Sequence, residues 1–305
     1  MFAIVFIKII NTFACTIILL HYYIFNLINM ISMRNVTFGY KKKLIFDDFS
    51  ISIEKGKVCG LLGKNGAGKS TMLYLLTGLL SPKKGKVEYK GEDVARRKPS
   101  TLQDMFIVPE EFELPGIPLR KYVEINRPFY PAFSQEQLDK NLECFEMEAD
   151  VHLNELSLGQ KKKVFMSFAL AANTPLLLMD EPTNGLDIPG KSQFRKFIAS
   201  GMTDEKTILI STHQVQDVDK LLEQVIILDN NKVLMNASVS RICEKLRFLE
   251  SFSEKDVEKA LYASPSIQGY KLILENENNE ETSLNLETLF NATLSNTEKI
   301  TAILQ

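Results

Sequence analysis

KVCGLLGKNGAGKST, residues 57–71, joins a short unbroken apolar run to a glycine-rich turn. An unbroken apolar run that ends in glycine is typical of a strand buried in a parallel sheet. The turn GKNGAGKS, residues 63–70, fits G-x-x-x-x-G-K-[ST], and the following TMLYLLTGLL has the apolar spacing of a helix. A strand, a glycine loop and a helix in this order are the context that a phosphate-binding loop requires, which disfavours a chance match.

The glycine loop has the residue types that phosphate binding needs. Glycines let backbone N–H groups turn inward toward phosphate oxygens, and the positive end of the helix dipole adds to the attraction. We expect Lys69 to reach the β- and γ-phosphates, the Ser70 hydroxyl to bind Mg²⁺, and Thr71 to make a weaker phosphate contact. The loop residues expected around the phosphates are Gly63, Asn65, Gly66, Ala67 and Gly68.

A second motif, LLLMDE at residues 176–181, delivers two carboxylates at the end of an apolar strand. Ligands of open α/β sheets bind at the carboxyl ends of strands. Asp180 fits the role of holding Mg²⁺, and Glu181 is the candidate general base that polarises the attacking water. An acidic pair alone is more often a solvated turn. Here, however, the Mg²⁺ expected at the phosphate loop would give these carboxylates a cation to bind.

The rest of the chain predicts an α/β fold with a parallel sheet. RNVTF and FSISI alternate like half-buried antiparallel strands, whereas MFIVP, PLLLMD, TILIST and QVIILD are short apolar runs. Residues 119–172 have mostly helical spacing, interrupted by Pro128 and Pro131. We predict a P-loop core with an antiparallel β subdomain over residues 33–241, an inserted α-helical subdomain at about 115–172, and a small C-terminal appendage over 242–305.

Composition narrows the class of protein. The 305 residues include 36 Lys and Arg against 38 Asp and Glu, for a formal net charge of -2. No basic stripe is visible, so we expect no nucleic-acid partner. The four cysteines form no C-x-x-C pair, which disfavours a zinc site or a disulfide framework and indicates a reducing compartment.

Residues 1–29 are nearly all apolar and differ from the rest. Their length allows a membrane-anchoring helix, which needs about 20 residues. A signal peptide is disfavoured because no basic start or small-residue cleavage site is present. The interpretation that we prefer is a mis-assigned start, in which AT-rich DNA has been translated and Met30 or Met33 begins the natural protein.

With these motifs in order, residues from about Met33 to Arg241 resemble the ABC ATPases. LSLGQ at 156–160 resembles their signature motif, and PTNGLD at 182–187, which includes Asp187, resembles their D-loop. Ser157 and Gly159 open a helical stretch, where free backbone N–H groups point outward. The resemblance implies that Ser157, Gly159 and Gln160 bind the γ-phosphate held by a second chain. The alternative is a plain helix cap, which would need only Ser157.

Three further residues take roles from the same resemblance. His213, at the end of TILIST, matches a histidine that contacts the γ-phosphate and orients the general base; a structural histidine is the alternative. Tyr40 matches an aromatic that stacks on adenine, against a tyrosine that merely ends a hairpin strand. Glu110 stands where the family usually has a glutamine near Mg²⁺, and we expect it to serve as a metal-sensing residue. Lys41–Lys43 and Lys161–Lys163 are interpreted as solvated faces.

The resemblance implies a subunit that binds ATP and Mg²⁺, hydrolyses ATP, and works with a second ABC ATPase chain. A separate membrane permease would carry the substrate, which places the chain peripherally on the cytoplasmic face of the membrane. Chain length, the short helical region and the tail are similar to multidrug and bacitracin-type exporters. The alternatives are a soluble ABC protein acting on ribosomes, a chromosome-maintenance ATPase and a regulatory subunit. A single motif set disfavours the first, and the short gap between Lys69 and Ser157 disfavours the second.

Overall fold

The computed structural model describes residues 29–41, 43–267 and 269–304. The strands are β1 Asn29–Tyr40, β2 Lys43–Glu54, β3 Val58–Gly63, β4 Lys84–Tyr89, β5 Glu92–Asp93, β6 Met105–Val108, β7 Leu176–Asp180, β8 Thr207–Thr212, β9 Gln224–Asp229, β10 Lys232–Ser238, β11 Leu246–Ser251, β12 Tyr262–Ser266 and β13 Gly269–Glu275. The α-helices are α1 Lys69–Leu76, α2 Pro99–Leu102, α3 Leu119–Asn126, α4 Gln135–Cys144, α5 Leu158–Ala171, α6 Ile188–Gly201, α7 Val239–Lys245, α8 Glu254–Lys259, α9 Leu286–Ser295 and α10 Thr297–Leu304.

The central sheet has six strands in the order β10-β9-β3-β8-β7-β6. Five of them run parallel, and β10 pairs antiparallel with β9 at one edge. Every apolar run predicted to be a buried strand forms one of the five parallel strands. The prediction of an α/β fold with a parallel sheet is therefore confirmed. All five strands end at the same edge of the sheet, which brings the segments that follow them together.

This sheet separates two apolar cores. Leu61 and Ile226 point to the face covered by α1 and by the antiparallel sheet β2-β1-β4-β5. Leu62 and Ile227 point to the opposite face, where α5, α6 and the C-terminal helices pack. Successive side chains of a strand alternate between faces, so strands buried on both faces need unbroken apolar runs.

Helix α1 is shorter than the predicted helical stretch TMLYLLTGLL. It ends at Leu76, and Gly78 adopts a φ of 67° shortly afterward. Glycine tolerates this left-handed conformation because it lacks a Cβ, and helices commonly stop at such a residue. The two leucines after the glycine therefore lie outside the helix.

Between β6 and β7 the chain is mostly helical, formed by α3, α4 and α5. A 3₁₀ turn at Arg127–Phe129, with Pro131 just beyond it, separates α3 from α4, as the two prolines predicted. Phe168 of α5 lies at the centre of an aromatic cluster with Tyr122, Phe133 and others. This cluster joins the helical region to β6.

The C-terminal residues form a three-stranded antiparallel sheet, β11-β13-β12, and the helices α9 and α10. Helix α9 begins where the Asn285 side chain accepts a hydrogen bond from Thr288 N at 2.9 Å. Leu289 and Ile300 are fully buried in the same core as Ile227 of the central sheet. The C-terminal residues therefore share one continuous apolar core with the central sheet.

The N-terminal predictions concern residues that lie almost wholly outside the described part of the chain. Met30 and Met33 lie within β1 and are buried. In the three described ranges, no helix combines the length and the apolar character needed to cross a membrane.

Candidate functional site

An open cavity of about 390 Å³ lies beside the carboxyl ends of the parallel strands. Residues from four separated stretches of the chain line it: Tyr40, Lys43, Ile45, Asn65, Gly66, Gly68, Lys69, Ser70, Thr71, Glu110 and Glu181. The structure thus brings together much of the predicted phosphate loop, the predicted adenine-stacking tyrosine, the predicted metal-sensing glutamate and the predicted base.

The glycine loop has a backbone that only glycine accommodates at its tightest point. Gly68 has a φ of 97°, and a Cβ there would lie 2.9 Å from Cζ of Phe46. Gly66 has a φ of 82° and faces open space. The buried Lys69 ammonium donates to the Gly63 carbonyl at 2.8 Å and so folds back over the loop. The glycine loop and the Lys69 side chain therefore line the cavity together, a suitable environment for phosphate oxygens.

Asp180 ends β7 as a buried carboxylate. It accepts hydrogen bonds from the hydroxyls of Ser211 and Ser70. Burial raises the pKa of Asp180, and the two hydroxyl hydrogen bonds oppose that rise. The pairing of Ser70 with Asp180 connects the start of α1 to the end of β7.

Glu181 follows with an unusual backbone and a tightly held side chain. Its φ of 43° is left-handed, a region that non-glycine residues rarely adopt. Its Oε1 lies 2.8 Å from Nδ1 of His213 and 3.4 Å from Nζ of Lys69. The main-chain N–H of His213 donates to Oε2 at 3.3 Å. The carboxylate is therefore oriented from two sides while it lines the cavity.

Tyr40 ends β1 and is 46% exposed at the rim of the cavity. Its ring packs edge-to-face against Phe38, with centroids 5.1 Å apart. Nearly half of the Tyr40 residue is therefore exposed beside the cavity, where a flat ligand could contact it. The neighbouring lysine segment is exposed at Lys41 and Lys43, as predicted, and Lys42 lies outside the described residues.

Two residues to which the sequence reasoning gave no role connect the site loops: Asn184, within PTNGLD, and Gln214. Asn184 donates through Nδ2 to Oε1 of Glu110 at 2.9 Å, and its Oδ1 accepts from Nε2 of Gln214 at 2.9 Å. The amide thus bridges the segment after β6 and the segment after His213. The available signal was position, since each residue lies within three of a predicted site residue.

The signature-like residues lie apart from this cavity. Ser157 and Gln160 form a reciprocal cap on α5: Gln160 N donates to Ser157 Oγ at 3.3 Å, and Ser157 N donates to Gln160 Oε1 at 2.9 Å. Asp187 caps α6 by accepting from Gly190 N at 2.9 Å. The cavity lining includes none of these residues, nor Gly159.

The interpretation of Lys161–Lys163 as a solvated face is wrong for Lys162. Lys162 is only 4% exposed and donates to the carbonyls of Glu181 at 3.0 Å and Asn184 at 2.9 Å. Lys163 donates to Oε1 of Gln193 at 3.1 Å. Helix α5 lies with this side against the loop after β7, an arrangement that charge alone does not reveal.

Comparison with known proteins agrees with this geometry. The family model described as "ABC transporter" matches residues 46–184. The chain is 31% identical over 221 residues to the ABC transporter ATP-binding protein NatA of Bacillus subtilis, covering 69% of this chain and 89% of that protein. It is 29% identical over 239 residues to the bacitracin transport ATP-binding protein BcrA of Bacillus licheniformis, covering 76% and 77% of the two chains.

A further relative is the Nod factor export ATP-binding protein I of Burkholderia orbicola, 30% identical over 70% of this chain and 72% of that protein. Among solved structures, the dimeric bacterial ABC transporter cassette MJ0796 superposes with a TM-score of 0.59 and 26% identity, covering 69% of this chain and 99% of that one. The phosphate loop and the oriented Glu181 line one cavity, and the buried Asp180 accepts a hydrogen bond from Ser70 beside it. Together with this geometry, these matches establish that the chain belongs to the ABC transporter family, as an ATP-binding and ATP-hydrolysing subunit.

Proposed function

We propose that this chain is a Mg²⁺-dependent ATPase that powers export through a separate membrane permease, as one half of a dimer that holds ATP between two chains. The observation that carries the proposal is the Glu181 carboxylate, held against His213 at 2.8 Å on the cavity that the phosphate loop also lines. A positioned base next to a phosphate cradle is the arrangement that water attack on a γ-phosphate requires.

The site is suited to a hard cation coordinated by oxygen ligands. The Ser70 hydroxyl and the buried Asp180 carboxylate already contact each other beside the cavity. Within the described residues no three His, Cys, Asp or Glu side chains form a metal cluster, and Mg²⁺ typically takes one or two carboxylates together with substrate phosphates. Bound by Ser70 and Asp180, Mg²⁺ would neutralise charge on the β- and γ-phosphates.

The protein groups then have distinct tasks. Lys69 and the N–H groups of the glycine loop bind and orient the phosphates, and Tyr40 stacks on adenine. Glu181 accepts a proton from the attacking water. His213 orients the Glu181 carboxylate and contacts the γ-phosphate. Catalysis of this kind comes mainly from positioning and charge stabilisation.

A second chain completes the site. Ser157, Gly159 and Gln160 lie at the start of α5, outside the chain's own cavity, where they are available to a γ-phosphate held by a partner. Leu158 between them is 70% exposed, and Ile188 beside the cap of α6 is 86% exposed. Exposed apolar residues beside the solvent-exposed start of α5 support a contact surface there. Asp187 lies on the same surface.

The permease contact and the direction of transport are supported by different observations. A groove of about 380 Å³ between the helical region and the core is lined in part by aromatic residues that include Tyr122, Tyr130 and Phe165. We place the permease there, with the chain bound peripherally at the cytoplasmic face of the membrane. Relatives named for bacitracin transport and Nod factor export support export as the task.

Glu110 is proposed to sense the metal and to couple the site to the helical region. It lines the cavity and follows β6, which leads toward α3. We expect Glu110→Ala to lower the ATPase rate and to change its Mg²⁺ dependence. An unchanged rate and an unchanged Mg²⁺ dependence would contradict this role.

The test of the proposed function is Glu181→Gln. This change keeps the size of the side chain and removes the base, so we expect the ATPase rate to fall about 10²- to 10⁴-fold. ATP binding should persist, and the variant should accumulate as an ATP-bound dimer in size-exclusion chromatography. Glu113→Gln, an exposed change outside the cavity, is the matched control. A Glu181→Gln variant with the parental ATPase rate would refute the assignment of Glu181 as the base. If the chain purified from native membranes brings no permease with it, the proposed transport partner is refuted.

A further inference from the structure

We propose that Lys162 is a positioning residue: its ammonium holds the backbone of Glu181 and ties the signature helix α5 to the chain's own catalytic loop. A partner that contacts the start of α5 would then also act on the geometry of Glu181 in the same chain. The inference rests on the proposed function, because it takes Glu181 as the catalytic base.

Lys162 is placed as a structural anchor rather than as a surface charge. It is 4% exposed, and its Nζ donates to two main-chain carbonyls of the loop after β7, Glu181 O at 3.0 Å and Asn184 O at 2.9 Å. Within the described ranges it forms no ion pair, so these carbonyls replace the water that a buried ammonium loses. Burial lowers the pKa of Lys162, and the nearby carboxylates of Glu110 and Glu181 oppose this effect.

The backbone conformation of Glu181, whose carbonyl accepts from Lys162, needs contacts from other segments to hold it. Glu181 has a φ of 43°, which a residue with a Cβ adopts only when its surroundings demand it. Its N–H donates to Ser211 O at 3.0 Å, and its carbonyl accepts from Asn184 N at 3.2 Å as well as from Lys162. Without the Lys162 ammonium, the Glu181 carbonyl would accept only the hydrogen bond from Asn184 N, which belongs to the same turn.

Helix α5 contacts the same loop at two levels and contacts α6 just beyond them. A Cβ on Gly159 would lie 3.1 Å from Gly185 O, so the first turn packs closely on the loop. Lys162 follows one turn later, and Lys163 reaches Gln193 of α6 at 3.1 Å. Because an α-helix rises about 1.5 Å per residue, Gly159 and Lys162 are about 4.5 Å apart along one rigid element. A shift at the helix start is therefore passed to the loop.

The loop in turn is connected to the other site segments. The side chain of Asn184 bridges Glu110 and Gln214, and Gln214 directly follows His213. Movement of the Glu181–Asn184 turn would therefore displace the groups on both sides of the γ-phosphate position. This arrangement gives Lys162 an effect on catalysis although it does not line the cavity.

The test replaces Lys162 by methionine, which keeps the apolar stem and removes the ammonium. We expect kcat for ATP to fall about ten- to a hundredfold, in line with the cost of misplacing a catalytic group. The Kd of a non-hydrolysable ATP analogue should change less than about twofold, because the phosphate loop is untouched. Amide hydrogen exchange should accelerate in peptides covering residues 181–187 and stay unchanged in those covering 63–76. Lys196→Met, an exposed change on α6, should behave like the parent.

Two further variants separate positioning from general damage. In a double-mutant cycle, adding Lys162→Met to Glu181→Gln should cause no further loss of rate, because one group acts through the other. Lys162→Arg, which keeps the charge and the donors, should recover part of kcat. Should Lys162→Met fail to fold, Lys162→Gln, whose amide retains a donor, is used in the same measurements.

The outcomes are distinguishable from a failure of the proposed function. A parent chain that does not hydrolyse ATP, or a Glu181→Gln variant with the parental rate, overturns the proposed function. If the parent is active and Glu181→Gln is inactive, a Lys162→Met variant with the parental kcat overturns only the role of Lys162. Loss of analogue affinity equal to the loss of kcat, or an additive loss in the double variant, also overturns it.

Discussion

Lys206 offers a direct test of how burial of a charge affects this fold. It lies in the turn between α6 and β8, is 4% exposed, and its ammonium has no ion pair or hydrogen bond to any described residue. Burial lowers its pKa from 10.5 to about 8. The folded state therefore binds this proton less tightly than the unfolded state does, so the charged lysine destabilises the protein wherever both states are protonated.

The sign and the size of the effect follow from these two pKa values. Below pH 8 the destabilisation is fully present; between about pH 8 and 10.5 the folded state loses its proton first, so stability rises with pH. At about 1.4 kcal/mol per pKa unit the upper bound is about 3 kcal/mol. Solvent screening near the surface reduces it, and we expect about 2 kcal/mol.

The assay is urea unfolding of Lys206→Met and the parent at pH 7 and pH 10. At pH 7 the variant should be more stable, with its midpoint higher by about 0.5–1 M. At pH 10 the gain should largely disappear, because the parental lysine is then neutral in the folded state. Lys220→Met, an exposed change, should give the same small difference at both pH values. If Lys206→Met is no more stable than the parent at pH 7, or if its gain in stability is the same at both pH values, the reasoning is refuted.

Three further predictions concern the core and the site. Leu289→Ala should lower the free energy of unfolding by about 2–5 kcal/mol, because Leu289 is fully buried in the main core. Calorimetry should show a single transition; a separate, earlier transition would show that the C-terminal residues unfold independently. Gly68→Ala should abolish binding of a fluorescent ATP analogue, since its Cβ would meet Phe46 and its φ is 97°, and retained affinity would contradict this. Ser211→Ala removes a hydrogen bond that lowers the pKa of Asp180, so the acidic limb of the ATPase pH profile should move to higher pH. An acidic limb that does not move would count against the dependence of the rate on Asp180 ionisation.

The parts of the site that lie close together in the chain are the parts that sequence reasoning placed well. The phosphate loop is one contiguous segment, and its glycines, Lys69 and Ser70 all line or border the cavity. The buried parallel strands were equally visible, because a strand covered on both faces cannot alternate apolar and polar residues. Glu181 and His213 were placed by the strands that end beside them.

The errors and omissions lie where a contact joins distant segments. Lys161, Lys162 and Lys163 are alike in sequence, yet Lys162 alone is buried, because the turn that faces it lies 19 and 22 residues further along the chain. Asn184 meets Glu110 across 74 residues, and no local pattern marks that pair.

The sequence by itself determined the chemistry of this protein, since the phosphate loop, the acidic strand end and the order of motifs are local and depend on residue type. Only the tertiary structure decided which charges are buried, how the site loops are linked to one another, and that Leu289 of the C-terminal residues joins the core of the central sheet. Burial and hydrogen-bond partners depend on which segments the fold brings together, and spacing along the chain does not encode that for residues far apart.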